Sequence, residues 1–117
     1  MASHQLTGIE GEDLATAFLQ GKGFDIIARN WRYKKCEIDI IASHANTLHF
    51  VEVKTKRSDF LGNPESKVNS KKVAQMKMAA EAFLFENPRW IFIQFDIVAI
   101  TLLPKSPPDI LHIEDIS

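Results

Sequence analysis

The sequence predicts an α/β domain with a mixed central sheet flanked by helices, and three observations lead to it. Two segments repeat apolar residues at helical spacing, and four short segments are rich in β-branched and aromatic residues. Their order along the chain is α-β-β-β-α-β. With 117 residues, the chain suits one domain, with a core over about 8–100 and a C-terminal tail over 103–117.

The first helix is expected over about 8–22. Thr7-Gly8-Ile9-Glu10 has the form of a capping box, Gly11, Leu14, Ala15, Phe18 and Leu19 follow at helical spacing, and Gly21 and Gly23 offer a stop. Phe24–Asn30 reads as a strand. Glu37–Ala42 and Thr47–Lys54 read as two more, joined through the polar turn Ser43-His44-Ala45-Asn46. Residues 58–66 contain Gly and Pro without periodicity and read as a loop. Val73, Met76, Ala80, Phe83 and Leu84 set a second helix over about 67–86, ending before Asn87-Pro88. Trp90–Ile100, apolar apart from Gln94 and Asp96, suits a strand inside the sheet, with Trp90 in the core. The tail holds three prolines and has room for a short edge piece near Ile110–Ile113.

Composition excludes several classes. Hydrophobic residues make up 45% and charged residues 25%, a globular balance. A single cysteine, Cys36, excludes an internal disulfide framework and a Cys-rich zinc module. No apolar stretch approaches the ~20 residues of a membrane span, and no signal peptide is visible at Met1–Thr7, so a cytoplasmic protein is expected. The net charge of −1 is unevenly spread: residues 1–28 carry −3, residues 29–77 carry +6 and residues 78–117 carry −4. A basic middle can offset a phosphate backbone, and it can equally be a solvated face balanced by the acidic ends.

Strand alternation puts Glu37 and Asp39 on one face of their strand, opposite Ile38 and Ile40, and puts Glu52 and Lys54 together on theirs. With a four-residue turn over 43–46, Glu37 opposes Glu52 and Asp39 opposes Phe50. Any even-length turn then gathers Glu37, Asp39, Glu52 and Lys54 on one patch. Carboxylates so close need a cation or a proton, and a hard divalent ion is one solution. A solvent-facing salt-bridge cluster is the other. The histidines, His4, His44, His49 and His112, show no metal-ligand spacing, and Trp31 is either a base-stacking or a core residue. Asp96 is either a hydrogen-bonded core acid or a helper near the site.

In combination, Gly8…Glu12…Ala15…Phe18-Leu19, Gly23-Phe24, Arg29-Asn30-Trp31-Arg32, Glu37-Ile38-Asp39-Ile40-Ile41, Phe50-Val51-Glu52-Val53-Lys54-Thr55-Lys56, Gly62–Pro64, Val68, Lys71 or Lys72, and Phe95-Asp96-Ile97-Val98 resemble the YraN-like family of small bacterial proteins. That family is similar to archaeal Holliday-junction resolvases and, more distantly, to PD-(D/E)XK nucleases with a restriction-endonuclease-like core. The resemblance implies a metal-dependent nuclease with Mg²⁺ or Mn²⁺ on Asp39 and Glu52. Lys54 stands as the lysine of the E-x-K motif, and Glu12 as an additional catalytic acid from the first helix. Glu37 stands beside the ligands as a residue that steadies them. Nucleic acid, DNA foremost and branched DNA among its forms, is the implied partner, and a homodimer is left open. Lys34, Lys35, Lys56, Arg57, Lys71 and Lys72 flank these positions as phosphate contacts. Cys36 and Gln94 depart from the family pattern, at positions where Gly and Arg are usual. A non-catalytic nucleic-acid-binding module, or a protein-interaction protein on the same fold, is the alternative reading.

Overall fold

The computed structural model describes residues 2–57 and 70–117, with side chains from Gly8 onward. The elements are α1 (Ala2–Gly21), β1 (Asp25–Tyr33), β2 (Cys36–His44), β3 (Thr47–Arg57), α2 (Ser70–Glu86), β4 (Phe92–Leu102) and β5 (Asp109–Ile113). The five strands form one mixed sheet in the order β1-β2-β3-β4-β5. Among the described strands only β3 and β4 pair in parallel, as the crossover through α2 between them requires. This arrangement is compatible with a restriction-endonuclease-like core.

Each helix covers one face. Ala15 and Leu19 of α1 pack with Phe24, Ile40, Ala42, Val51, Val98 and Ile100. Met76, Ala79, Ala80 and Phe83 of α2 pack with Ile38, Ile41, Leu48, Phe50 and Phe95 on the other side. Consecutive residues such as Phe50 and Val51 therefore serve opposite layers, and β3 in the centre of the sheet is apolar on both faces. Trp31 joins the α2-side core, edge-on to Phe83 at 5.5 Å between ring centroids. Trp90, half-buried just before β4, packs against the same core beneath the Arg89 guanidinium. No helix among the described residues is long and apolar enough to cross a membrane.

Three expectations are corrected and one lies outside the described residues. Helix α1 already runs through Thr7, so Thr7–Glu10 lies inside the helix and not at its start; Ala2–Leu6 contains no Gly or Pro to stop it. The loop over 58–66 and the first residues of the second helix, 67–69, lie outside the described residues. The β2–β3 turn is two residues long. Ala45 and Asn46 both adopt positive φ, at 49° and 67°, so pairing continues to His44↔Thr47 and the register moves by two. Lastly, Ile38 and Ile40 pack on opposite faces of the sheet. The side alternation fails beside Asn30, whose φ is 54°, between the pairs Arg29↔Ile40 and Trp31↔Ile38; the register shift of the β1–β2 ladder itself lies between Ile26 and Ala28. Beyond the expected order, β5 pairs antiparallel with β4, and the Ile116 N–H donates to Phe95 O at 2.8 Å, fastening the tail to the sheet.

Candidate metal and nucleic-acid site

The corrected register makes Asp39 and Glu52 the residues that follow the last β2–β3 pair, Ile40↔Val51. Past that pair β2 stays with β1 as far as Tyr33↔Cys36, and β3 stays with β4 to Arg57↔Leu102, so the sheet opens between its second and third strands. A backbone N–H that loses its ladder partner must find another acceptor. The Val53 N–H finds the Asp39 carboxylate, Oδ2, at 2.8 Å. The opening and its two acids are thus one feature: a side chain replaces a strand.

Glu52 is almost fully buried, and among the described residues its Oε1 has no hydrogen-bond partner. Lys54 Nζ lies 3.5 Å from Oε2, and Lys72 Nζ, from α2, lies 3.5 Å from Oε1. Burial pushes the Asp39 carboxyl up to about 7; the charges of Glu52 and Glu12 add to the rise, and the Val53 N–H opposes it. From the other layer, α1 brings Glu12. Gly11 makes this close approach feasible, because a Cβ there would overlap the Thr55 side chain. Glu12 Oε1 accepts from Asn30 Nδ2 at 2.9 Å and from Arg29 at 3.1 Å, while Arg29 also bonds Asp13 at 2.9 Å.

Glu37 does not join this group as the first register implied. It pairs with Arg32 of β1 at 3.4 Å, because the two-residue shift carries it away from Glu52. The basic residues fall at the open end of the sheet. Lys34 and Lys35 form the β1–β2 turn, Lys56 and Arg57 end β3, and Lys71 and Lys72 start α2.

A second group escaped the sequence reading. Asp96, fully buried in β4, accepts from His49 Nδ1 at 2.7 Å, His112 Nε2 at 2.9 Å, Gln94 Nε2 at 3.0 Å and the Asp115 N–H at 3.1 Å. Burial alone would raise its pKa. The bonds from His112, His49, Asp115 and Gln94 outweigh that and hold it well below the usual carboxylate range. Lys22 Nζ donates to His112 Nδ1 at 2.7 Å, which leaves the His112 proton on Nε2, facing Asp96. Asp96 is therefore the hydrogen-bonded core acid of the two readings above. His49, Asp96 and exposed Glu114 offer ligand atoms within 4.8 Å of one another and can hold a metal ion. Its partners stand 47 and 16 residues away in sequence; the one available hint was a carboxylate in an apolar strand, which needs donors.

Residues 11–100 match the uncharacterised protein family UPF0102. The chain belongs to that family. Among its relatives, a UPF0102 protein of Christiangramia forsetii is 39% identical over 115 residues, covering 98% of this chain and 96% of the relative. One of Rhodococcus opacus is 40% identical over 116 residues, covering 98% of each. One of Geobacter sulfurreducens is 40% identical over 111 residues, covering 94% of this chain and 87% of the relative. The matched span of this UPF0102 chain includes Glu12, Asp39, Glu52, Lys54 and Asp96 alike.

Proposed function

We propose that this UPF0102 protein is a metal-dependent nuclease that hydrolyses phosphodiester bonds of nucleic acid at the opening between β2 and β3. The observation that carries this reading is Glu52 Oε1, a buried carboxylate oxygen without a hydrogen-bond partner among the described residues, beside a second carboxylate, Asp39. Lys72 at 3.5 Å offsets part of its charge without a hydrogen bond, and a buried carboxylate oxygen beside a second carboxylate is costly unless a further cation completes it. An all-oxygen donor set suits a hard ion, Mg²⁺ or Mn²⁺, better than the His-containing group at Asp96 does. Asp39 and Glu52 would hold the ion, which when bound supplies Lewis-acid stabilisation of phosphate oxygens.

The remaining roles belong to the chain itself. Lys54, on the same strand as Glu52, orients the attacking water and offsets charge that develops on the phosphate. Lys72 holds the Glu52 carboxylate from the α2 side. Glu12 adds a third carboxylate, and Lys34, Lys35, Lys56, Arg57 and Lys71 track the backbone of the bound strand. The binding-module alternative shares the basic residues and needs none of the carboxylate geometry.

The test is cleavage of junction, linear duplex and single-stranded substrates with Mg²⁺ or Mn²⁺, using wild type, Asp39→Asn and Lys54→Met. Metal-dependent cleavage lost in both variants supports the nuclease. Nucleic-acid binding without cleavage in the wild type selects the binding module.

A further inference from the structure

In a regular strand, consecutive residues point to opposite faces, so only one of Arg29 and Asn30 should reach α1. Both do: each donates to the same oxygen of Glu12, at 3.1 and 2.9 Å. The left-handed backbone at Asn30, φ 54°, makes this geometry available, and Asn tolerates it better than other side-chain-bearing residues do. The packing on either side of it agrees: Ala28 and Trp31, three residues apart, both pack on the α2 side, whereas the change of face between Ile26 and Ala28 belongs to the separate register shift there. Asn30 stands across from Asp39, between the pairs Arg29↔Ile40 and Trp31↔Ile38. One irregular residue is therefore linked to two of the three acids.

We propose that Asn30 is a positioning residue, holding Glu12 Oε1 so that the other oxygen of that carboxylate faces the Asp39–Glu52 pair as a third metal ligand. Both Asn30 and Arg29 occupy Oε1, and because Asn30 stands across the β1–β2 register from Asp39, the bond it makes brings Glu12 toward that acid. A carboxylate clamped at one oxygen is pre-organised to ligate through the other. Arg29 is shared with Asp13, whereas the Asn30 amide serves Glu12 alone among the described hydrogen bonds. This inference rests on the nuclease reading of the site.

The experiment is a double-mutant cycle with Asn30→Gly and Glu12→Ala, reading Mn²⁺ affinity by calorimetry and metal-free melting by circular dichroism. Gly keeps the left-handed backbone without strain and removes only the amide. Asn30→Gly is expected to weaken Mn²⁺ binding about 5- to 20-fold with metal-free melting unchanged. In the Glu12→Ala background it should weaken binding no further, since the residue it acts through is gone. Wild-type affinity in Asn30→Gly overturns the proposal, and so does an equal loss in both backgrounds. An Asn30→Gly chain that fails to fold also overturns it, by showing the amide to be structural. A wild type that binds no Mn²⁺ overturns the nuclease reading as well, whereas wild-type binding that survives Asn30→Gly overturns this proposal alone.

Discussion

The Val53 backbone N–H donates to Asp39 Oδ2 at 2.8 Å, so a β2 side chain receives the bond that a β2 carbonyl would take in a continued ladder. That bond marks the opening of the sheet, and it steadies a carboxylate that its surroundings otherwise push toward protonation. Burial and the charges of Glu52 and Glu12 raise Asp39 to about 7 from an ordinary value of 3.8.

The sign of the pH effect follows. Between about pH 4 and 7 the folded protein holds a proton on Asp39 that the unfolded chain has released, so metal-free stability falls as pH rises through this window and then levels. Asp39→Asn keeps an acceptor for Val53 and removes the charge. It should flatten this part of the profile and raise metal-free stability at pH 8 by about 1–3 kcal/mol. Urea denaturation at pH 4, 6 and 8 reads both. A variant less stable than wild type at pH 8 would identify Asp39 as a structural ion-pair partner.

Gly11 sets the distance from α1 to β3. Gly11→Ala raises helix propensity, yet the added methyl overlaps Thr55. The clash should win, at a cost of about 1–3 kcal/mol, and should move Glu12 away from Asp39. Thermal melting checks the first effect. The second should appear as weaker Mn²⁺ binding, and a stabilised Gly11→Ala variant would refute the close approach.

Asp96 joins β4 to β3, to β5 and, through His112 and Lys22, to the end of α1. Asp96→Asn puts an amide where two histidine N–H groups donate, and should cost about 3–5 kcal/mol. Because its folded pKa is depressed, the wild-type contribution is present above the ordinary Asp range and lost only as pH falls toward the folded value. Chemical denaturation at neutral pH measures the cost. A loss below about 0.5 kcal/mol would show the network to be dispensable.

The basic end of the sheet is testable separately. Replacing Lys34, Lys35, Lys56 and Lys71 with Gln should weaken nucleic-acid binding and reduce its salt slope by roughly three to four charges, with melting nearly unchanged. Fluorescence anisotropy across a salt series reads the slope. An unchanged slope would make these residues a solvated face.

The strands and helices were legible because their apolar periodicity differs, 2.0 against 3.6. The parity argument brought Asp39 and Glu52 to the same neighbourhood despite the wrong register, since changing an even turn from four residues to two shifts pairing by two and keeps parity. It failed at Glu37 for the same reason: a shift of two preserves the face and changes the neighbour. The turn itself was obscured because Ala45, unlike Gly or Asn, carries no sign of positive φ. The alternation break at Asn30 and the Asp96 network were also illegible. Both depend on where single residues meet in three dimensions, which no spacing records.

The central claim is that the opening between β2 and β3 is a divalent-metal site, and Mn²⁺ anomalous diffraction from soaked crystals tests it most directly. The account predicts one peak bridging Asp39 and Glu52, at about 2.0–2.3 Å from their oxygens, and no peak there in Asp39→Asn crystals. A peak only at His49, Asp96 and Glu114, or none with Glu52 still held by Lys54 and Lys72 alone, would contradict it.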